Sequence, residues 1–447
     1  MVDVHEVAEV FGVVRGIPKN YTVRSDVDGE FLDALNSNKH VVIYGSSKQG
    51  KTSLRKKNLA ADKYESITCQ NNWDISSLMG SMLKKVGYSV ERSTKVSVSG
   101  HAKISVSAKI KASLLGTGGE GAGSTDIDGA AAREVEKVQL ELDPEDINDI
   151  ISALRSIGFN KWLVLEDFHY LPDETQRSFA TALKSFHENS NYTFIIVGVW
   201  LEENRLIQYN GDLNGRVVTI NADRWNSKDL RAAIEKGELL LNVTFSDSFK
   251  SEIIKGAKGS IYLVQESCLR ALRDVGLERT SETVLHVDAP GDEIIQHVVN
   301  TQSGGYRGIL PSIADGFQST DLEMHKWLLV PIVLTSLKEH EDGISLSTIT
   351  SILKEHHPRQ SDLNQGNITN ALKSLVNVQV KRGVKPIVLD YDQARRRLNV
   401  VDRGFLIWLS YQKSEELLDE VGIEISGSSG WGVRSRREAR GMSHHNM

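Results

Sequence analysis

The segment Gly45–Thr52, GSSKQGKT, has the residue types and spacing of a loop that binds phosphate groups. It fits the pattern G-x-x-x-x-G-K-[ST], in which the glycines allow the backbone to turn its amides towards a phosphate. Lys51 would reach phosphate oxygens as a point charge, and the Thr52 hydroxyl would contact Mg²⁺. The predicted phosphate-binding residues are Gly45, Ser46, Ser47, Lys48, Gln49, Gly50, Lys51, Thr52 and Ser53.

Two consecutive acids, Glu166 and Asp167, supply the second group of residues that could do chemistry. They follow Trp162–Leu165, an apolar run typical of a strand that is covered on both faces. Ligands of α/β sheets bind at the carboxyl ends of such strands. We predict that Glu166 holds Mg²⁺ together with Thr52, and that Asp167 orients an attacking water. The alternative is that the two acids only cap a helix or form salt bridges.

The elements around these motifs follow the order that a phosphate-binding loop requires. His40–Tyr44 is an apolar, β-branched run of strand length before the loop, and residues 52–59 can form a helix after it. Residues 64–70 and 191–199 read as two further strands, the first followed by a helical pattern. Alternating strands and helices predict an α/β fold, a parallel sheet with helices on both faces. A glycine-rich surface turn, the alternative for the loop, would not need this order.

Together the two motifs resemble those of the AAA+ and STAND-type P-loop ATPases, over about residues 10–280. The resemblance rests on GSSKQGKT, on WLVLEDFHYL and on the segment that follows. It implies ATP as the nucleotide, Mg²⁺ as the metal and a capacity for self-association. These families more often place Asp-Glu or Asp-Asp where this chain has Glu166 and Asp167. The shorter Asp167 must then reach the water, so we expect slow hydrolysis.

The resemblance also implies an arginine that acts on the nucleotide of a neighbouring subunit. Arg216, in GDLNGRVV, is the predicted residue, with Arg205 and Arg224 as competitors. A surface ion pair is the alternative for Arg216. The end of the 191–199 strand offers no polar sensor residue, and Asn204 is only a weak substitute. These features favour a slow switch over a processive motor.

An insertion of about residues 92–140 separates the two motifs. From Thr94 to Ala112 apolar residues fall on even positions and lysine or serine on most odd ones, which predicts strand structure. Gly100-His101 would bend it into a hairpin, and Gly116–Gly129 has the composition of a mobile loop. The insertion is either a basic-faced arm that meets a neighbouring subunit or nucleic acid, or a solvated hairpin.

The rest of the chain divides by pattern. We predict an ATPase core at 1–226, a helical lid at 227–285, a connector at 286–322, a winged-helix domain at 323–425 and a disordered tail at 426–447. Ile261 and Tyr262 stand where the resemblance puts a lid arginine. The winged-helix prediction rests on two helical patterns followed by two short strands. On it, Asn367, Asn370 and Lys373 would face a DNA major groove and Arg395, Arg396 and Arg397 would contact phosphates; the alternative is a protein-contact surface.

Composition narrows the class of protein. The chain has 447 residues and a net charge of −6, which excludes a globally basic nucleic-acid coat. Cys69 and Cys268 lie far apart, so we expect neither a disulfide framework nor a zinc site. The N-terminus lacks a signal-peptide pattern, and the longest apolar run is too short to span a bilayer. We expect a cytoplasmic protein without membrane association.

These observations lead to one functional hypothesis and two alternatives. The first is a slow, Mg²⁺-dependent ATPase that acts as a nucleotide-controlled switch, in DNA transactions or anti-phage defence. The second is a nucleotide-gated DNA-binding regulator with negligible turnover. The third is a scaffold on which other proteins assemble.

Overall fold

The computed structural model describes residues 3–96, 102–111, 135–301, 303–316, 321–384 and 387–425. Its strands are β1 His40–Tyr44, β2 Tyr64–Thr68, β3 Ser89–Val96, β4 Ala102–Lys111, β5 Val135–Leu142, β6 Trp162–Glu166, β7 Phe194–Val197, β8 Val217–Asn221, β9 Val243–Phe245, β10 Leu285–Val287, β11 Ile344–Ser345, β12 Leu389–Asp392 and β13 Arg397–Val400. The predicted turn at Gly100-His101, the loop at Gly116–Gly129 and the tail at 426–447 lie outside the described residues.

Helices account for much of the remaining described chain. They are α1 Val7–Phe11, α2 Ser25–Leu35, α3 Lys51–Asn58, α4 Ile75–Lys85, α5 Ile147–Ser156, α6 Asp173–Asn189, α7 Arg205–Tyr209, α8 Ser227–Leu241, α9 Asp247–Gly256, α10 Ile261–Asp274, α11 Gly291–Thr301, α12 Ser303–Ala314, α13 Met324–Trp327, α14 Leu329–Leu334, α15 Leu337–Glu341, α16 Leu346–His356, α17 Gln365–Lys381, α18 Arg403–Ser410 and α19 Ser414–Asp419. Within the described ranges, no helix is both long and apolar enough to cross a membrane.

The described residues form two compact units, which we treat separately. The sheet unit comprises Val23–Gly45 and Gly50–Ala222. The helical unit comprises the described residues of Met1–Thr22, Ser46–Gln49 and Asp223–Met447. The phosphate-loop sequence therefore contributes its middle residues to the helical unit and its two ends to the sheet unit.

A five-stranded parallel sheet organises the sheet unit. Its strand order is β2-β6-β7-β1-β8, and every neighbouring pair is parallel. Parallel strands covered on both faces need continuous apolar runs, and all five residues of β1 are buried. The predicted α/β fold class is confirmed. Because β7 alone lies between β1 and β6, the loop after β1 and the acids after β6 come to the same edge of the sheet.

The two faces of this sheet have separate cores, as the alternation of strand side chains requires. On one face, β1 contributes Val41 and Ile43, which belong to the same cluster as Phe31 of α2 and Leu54 of α3. The other face includes Val42 and packs with residues of α4, α5 and α6. Helix α3 is thus fixed against the strand that precedes the loop.

The insertion forms a three-stranded antiparallel sheet in the order β3-β4-β5. The strand structure predicted from the period of two is confirmed in β3 and β4, where Val90 faces Val106. The third strand, β5, was not predicted. Its signal is present, since Val138, Leu140 and Leu142 also fall on even positions. The even face is the inner one, because Val106 is fully buried.

The helical unit contains α8, α9 and α10, where a helical lid is predicted. In place of the predicted connector at 286–322, the chain has the end of β10 and helices α11 and α12. In α11 the buried residues Ile294, Ile295, Val298 and Val299 recur at helical spacing and pack against α9 and α10. Pro290 directly precedes the first helical residue, and its carbonyl accepts a hydrogen bond from the Ile294 amide, so this proline does not interrupt the helix.

The C-terminal part of the helical unit has a small antiparallel sheet in the order β11-β13-β12. The predicted strand pair is present, with Tyr391 opposite Leu398. Helices α16 and α17 lie between β11 and β12 in the sequence. Ile349 of α16 and Leu372 of α17 are buried in the same core as Leu398. This order of strand, two helices and hairpin matches the pattern on which the winged-helix prediction rests.

Candidate nucleotide site

The glycines of the phosphate loop adopt backbone angles that other residues disfavour. Gly45 has φ 138° and Gly50 has φ 81°, both outside the regions that side chains normally tolerate. Gly50 directly precedes α3, which begins at Lys51. Strand, loop and helix therefore follow one another as predicted, and the N-terminus of α3 lies at the end of the loop. A helix N-terminus presents free amides and a favourable dipole to an anion.

Lys51 is folded back over the first residue of the loop. Its Nζ donates to the carbonyl oxygen of Gly45 at 3.0 Å, and its side chain is largely buried. Holding an ammonium in a buried position costs free energy unless anionic or polar groups compensate it. A phosphate oxygen at the carboxyl end of β1 would accept a stronger, charge-assisted hydrogen bond from the same ammonium, so the geometry suits an anionic ligand.

Thr52 and Glu166, the two predicted metal ligands, are in contact. The Thr52 hydroxyl donates to Oε2 of Glu166 at 3.4 Å. Hydroxyl and carboxylate oxygens are the hard donors that Mg²⁺ prefers, and Mg²⁺ usually takes few protein ligands besides phosphate oxygens and water. In the part of the chain that the structure describes, no group of three or more His, Cys, Asp or Glu residues could hold a metal alone. The donor set therefore fits a Mg²⁺ that arrives with a phosphate ligand.

Asp167 begins a sharp turn directly after β6. Its φ of 57° is unusual for a residue other than glycine, and the short 3₁₀ helix Phe168–Tyr170 follows. The turn allows the chain to leave the sheet at the point where its carboxyl edge carries the predicted site. Asp167 stays a predicted water-positioning residue on this geometry.

His169 is a site-edge residue that the sequence reasoning missed. Its Nδ1 accepts a hydrogen bond from the Val199 amide at 3.2 Å, which places the ring proton on Nε2. Burial, together with the positive charges of Lys51 and Arg205, lowers the pKa of His169 from 6.5 to about 3. A neutral imidazole thus stands next to the end of β7, where no polar sensor was found in the sequence. Asn204, the weak substitute, immediately precedes α7.

Arg216 lies away from this chain's own loop. It precedes β8, and β8 starts opposite His40 at the amino end of β1. Its Nη2 pairs with Glu188 at 2.8 Å, and its Nη1 donates to the carbonyl of Asp212. The competitor Arg205 lies near His169 instead. A role for Arg216 at a neighbouring subunit's nucleotide stays a prediction.

Within the helical unit, the loop residue Ser46 is held by a carboxylate. Its amide donates to Oδ1 and Oδ2 of Asp223 at 2.8 and 2.9 Å, and its hydroxyl donates to Oδ2 at 2.6 Å. Sequence reasoning missed Asp223, which lies 177 residues from Ser46. No local pattern marks it, so only the folded chain identifies this contact.

Gln49 joins the loop to the residues around the start of α10. Its Nε2 donates to the carbonyl of Gly259 at 3.3 Å, and its Oε1 accepts from the amide of Ile261 at 3.4 Å. The indole Nε1 of Trp225 donates to the Gln49 carbonyl at 3.3 Å. Within the helical unit, the Gln49 carbonyl is therefore tied to Trp225, and the Gln49 side chain is tied to residues around the start of α10.

Ser47 and Lys48 make two further contacts within the helical unit. The Ser47 amide donates to the carbonyl of Val401 at 3.2 Å, directly after β13. The Lys48 ammonium lies 4.0 Å from the centre of the Tyr262 ring. Tyr262 stands where the resemblance implies a lid arginine, and its ring contacts the loop residue Lys48. Ser53, the last predicted loop residue, is half-buried in α3.

The residues predicted to face DNA have different environments in the structure. Arg397 donates to the carbonyls of Gly343 and Asp342 at 2.6 and 3.2 Å, so its charge is engaged by the backbone. Asn367 forms a reciprocal cap with Asn364 at the start of α17. Arg395 and Arg396 line a groove of about 750 Å³, together with Ser345, Thr350, Lys354 and Asn364. Asn370 and Lys373 are exposed on α17.

No family model matches the chain, and no curated protein matches it. Among solved structures, the Walker-type ATPase of Pyrococcus abyssi is similar with a TM-score of 0.47 at 10% identity, over 90% of this chain and 99% of that one. The Orc1 protein of Aeropyrum pernix, solved with DNA, gives 0.43 at 10% identity over 93% and 97%. The Orc2 protein of Aeropyrum pernix, solved as ADPNP-ADP complexes, gives 0.42 at 13% over 92% and 97%.

Proposed function

We propose that this protein is an AAA+-type ATPase that binds ATP with Mg²⁺ and hydrolyses it slowly. The observation that carries the proposal is the arrangement at the carboxyl edge of the parallel sheet. There Lys51 covers Gly45 at 3.0 Å, and Thr52 contacts Glu166 at 3.4 Å. A strand, a glycine loop and a helix N-terminus thus bring an ammonium, a hydroxyl and a carboxylate to one place, which suits a triphosphate.

Each residue has a distinct role in this proposal. Lys51 and the first amides of α3 bind phosphate oxygens, while Thr52 and Glu166 hold the metal. Bound Mg²⁺ would neutralise charge on the phosphates. Asp167, one residue beyond the metal ligand, accepts a hydrogen bond from the attacking water. Its side chain is shorter than that of a glutamate, which supports slow rather than fast turnover.

Contacts of the loop in the helical unit support a switch. Gln49 bonds to Gly259 and Ile261, and Ser47 bonds to Val401. A phosphate that rearranges the backbone of residues 46–49 must change these bonds. Nucleotide state would then alter the start of α10 and the segment between β13 and α18. The proposed domain boundaries remain those drawn from the sequence, with α11 and α12 in place of a connector.

Duplex DNA is the partner we propose for the C-terminal winged helix, formed by β11, α16, α17, β12 and β13. Arg395, Arg396 and Lys354 line one groove and would provide phosphate contacts. The similar Orc1 protein was solved with DNA, which agrees with this choice. We further propose that the protein is cytoplasmic and self-associates, with Arg216 acting across subunits.

A nucleotide-gated DNA-binding regulator with negligible turnover is the second candidate. The reversed acid pair, Glu166 and Asp167, favours it, because a short second acid limits hydrolysis without preventing binding. Phosphate release by wild type and Asp167→Ala, with and without duplex DNA, separates the two functions. Asp62→Ala, an exposed residue outside the site, is the matched control.

The outcomes of that experiment are distinct. Turnover that disappears in Asp167→Ala and persists in Asp62→Ala supports the slow ATPase. Tight ATP binding without phosphate release under either condition supports the gated regulator. A purified protein that binds no Mg·ATP contradicts both and leaves the assembly scaffold. Gel filtration with and without ATP then tests self-association.

A further inference from the structure

Arg55 makes a close, two-point contact with the predicted metal ligand. It lies on α3, three residues after Thr52, and its side chain is only 2% exposed. Its Nε and Nη2 atoms donate to Oε1 of Glu166 at 2.9 and 2.8 Å. Its guanidinium carbon lies 4.3 Å from the centre of the Tyr64 ring, which supports the planar group from one side. The guanidinium is therefore held in one orientation.

The two oxygens of Glu166 consequently have different environments. Oε1 takes both contacts from Arg55, whereas Oε2 accepts the hydroxyl of Thr52. A carboxylate fixed at one oxygen cannot rotate freely about its last bond. The oxygen that remains is the one that faces the predicted metal partner. Arg55 thus determines which Glu166 oxygen is presented to Thr52.

Stability alone is a poor explanation for this pair. A buried ion pair often contributes little net stability, because both charges lose their hydration. In Arg55 the third nitrogen, Nη1, is buried and has no hydrogen-bond partner among the described residues. An unsatisfied buried donor costs about 1–3 kcal/mol. A residue that served only to anchor α3 to β6 would gain little from this arrangement.

We propose that Arg55 is a positioning residue that orients the Glu166 carboxylate for the Mg²⁺ that accompanies ATP. The inference rests on the proposed function, since it concerns the same site. It differs from a simple anchoring role in one respect. A positioning residue affects the metal-dependent part of nucleotide binding, whereas an anchor of α3 affects binding with and without metal alike.

The test compares nucleotide affinity in Mg²⁺ and in EDTA. A fluorescent ATP derivative is titrated into full-length wild type, Arg55→Met and Arg55→Lys under both conditions. Loss of an outer partner of a metal ligand typically lowers metal affinity by 10–100-fold. We expect the gain in affinity that Mg²⁺ gives to fall by at least about 10-fold in Arg55→Met. Affinity in EDTA should stay at the wild-type value.

The lysine variant separates charge from geometry. Lysine keeps the positive charge, but its single nitrogen cannot reproduce the two contacts that the planar guanidinium makes to one oxygen. We expect Arg55→Lys to lose part of the Mg²⁺-dependent gain, less than Arg55→Met. Thermal unfolding of each variant verifies that it is folded. If Arg55→Met does not fold, the comparison of wild type with Arg55→Lys is used instead.

Two controls complete the design. Lys57→Met removes one positive charge from an exposed position on the same helix and should leave both affinities unchanged. In a Glu166→Gln background, adding Arg55→Met should lower the Mg²⁺-dependent gain no further, because the two residues act through one carboxylate.

Three outcomes would overturn the inference. They are an unchanged or larger Mg²⁺-dependent gain in Arg55→Met, an equal loss of affinity in EDTA, and full additivity with Glu166→Gln. Wild-type protein that binds no nucleotide, or binds it without any Mg²⁺-dependent gain, would instead contradict the proposed function. The two failures are therefore distinguishable.

Discussion

The two ends of strand β1 carry buried polar groups of very different character. At the amino end, His40 is fully buried, with Nε2 at 3.0 Å from the Leu183 carbonyl and Nδ1 accepting from the Phe194 amide at 3.2 Å. At the carboxyl end, the Gly45 carbonyl accepts from Lys51. Both ends satisfy the rule that buried polar groups need partners.

The difference lies in what those partners can do. The partners of His40 are main-chain groups of α6 and β7, which are fixed by the fold. The partner of the Lys51 ammonium is the Gly45 carbonyl. A phosphate oxygen can take the place of that carbonyl without unfolding the sheet. A buried polar group is therefore structural where its partners cannot be exchanged and functional where they can. Variants at the two ends should separate stability from binding.

The largest effect on binding is expected from Lys51→Ala. Removing the ammonium deletes a charge-assisted contact to phosphate, each worth about 1.5–3 kcal/mol in proteins. ATP affinity should therefore fall by about 100-fold. The measurement is equilibrium binding of a fluorescent ATP derivative in Mg²⁺, with circular dichroism to show that the variant is folded.

Lys57→Ala is the matched control for this prediction, since it removes an exposed lysine from the same helix. Its ATP affinity should equal that of wild type. An unchanged affinity in Lys51→Ala would mean that the loop does not bind the phosphates. The carboxyl end of β1 would then be as structural as its amino end.

Much of this carboxyl edge was predictable because its determinants are local. The glycine spacing of Gly45–Thr52 and the apolar runs before it and before Glu166 are patterns within single segments. They predicted the strands, the helix after the loop and the α/β class. Strand β5, which was not predicted, also carries a local signal, but it follows a glycine-rich segment whose composition predicts a loop.

The residues that reasoning from the sequence missed have partners far away in the chain. Arg55 meets Glu166 across 111 residues, and Ser46 meets Asp223 across 177. No spacing rule connects such pairs, because the way in which strands distant in the sequence are ordered in the sheet decides which residues meet. His169 was overlooked for the same reason, since its role depends on the end of β7. Helix α11 was not predicted because Pro290 and Gly291 are also typical of loops between elements.

An intermediate effect, on stability rather than binding, is expected at the amino end of β1. Burial lowers the pKa of His40 from 6.5 to about 4. Because the folded state resists protonation, this contribution to stability is present above pH 6.5 and is lost as pH falls towards 4. At pH 5 the linkage corresponds to about 2 kcal/mol of unfolding free energy. Urea unfolding of wild type at pH 7 and pH 5 measures the total pH dependence.

His40→Asn isolates the share of that single residue. Asparagine can still accept the Phe194 amide but does not titrate, so the difference between its unfolding free energies at pH 7 and pH 5 should be about 2 kcal/mol smaller than in wild type. ATP affinity at pH 7 should remain unchanged in the folded variant. Equal pH dependence in the two proteins would show that His40 is not kept neutral by the fold.

The smallest effect is expected from Gln49→Ala. This variant sharpens the comparison because Gln49 has features of both a functional and a structural polar group. It belongs to the phosphate loop, yet its side-chain partners are the main-chain groups of Gly259 and Ile261. Two neutral hydrogen bonds are worth about 1 kcal/mol each, but neither is made to ATP, so ATP affinity should change by less than about 10-fold.

The informative measurement for Gln49→Ala is amide hydrogen exchange. In wild type, ATP should change the exchange of the amides at the start of α10, because Gln49 accepts from the Ile261 amide. In Gln49→Ala the same ATP-dependent change should disappear while ATP still binds. If the change persists, the loop communicates with α10 through Tyr262 and Lys48 rather than through Gln49, and Tyr262→Leu should then abolish it. A loop residue with main-chain partners would in that case be structural, like His40, despite its place in the motif.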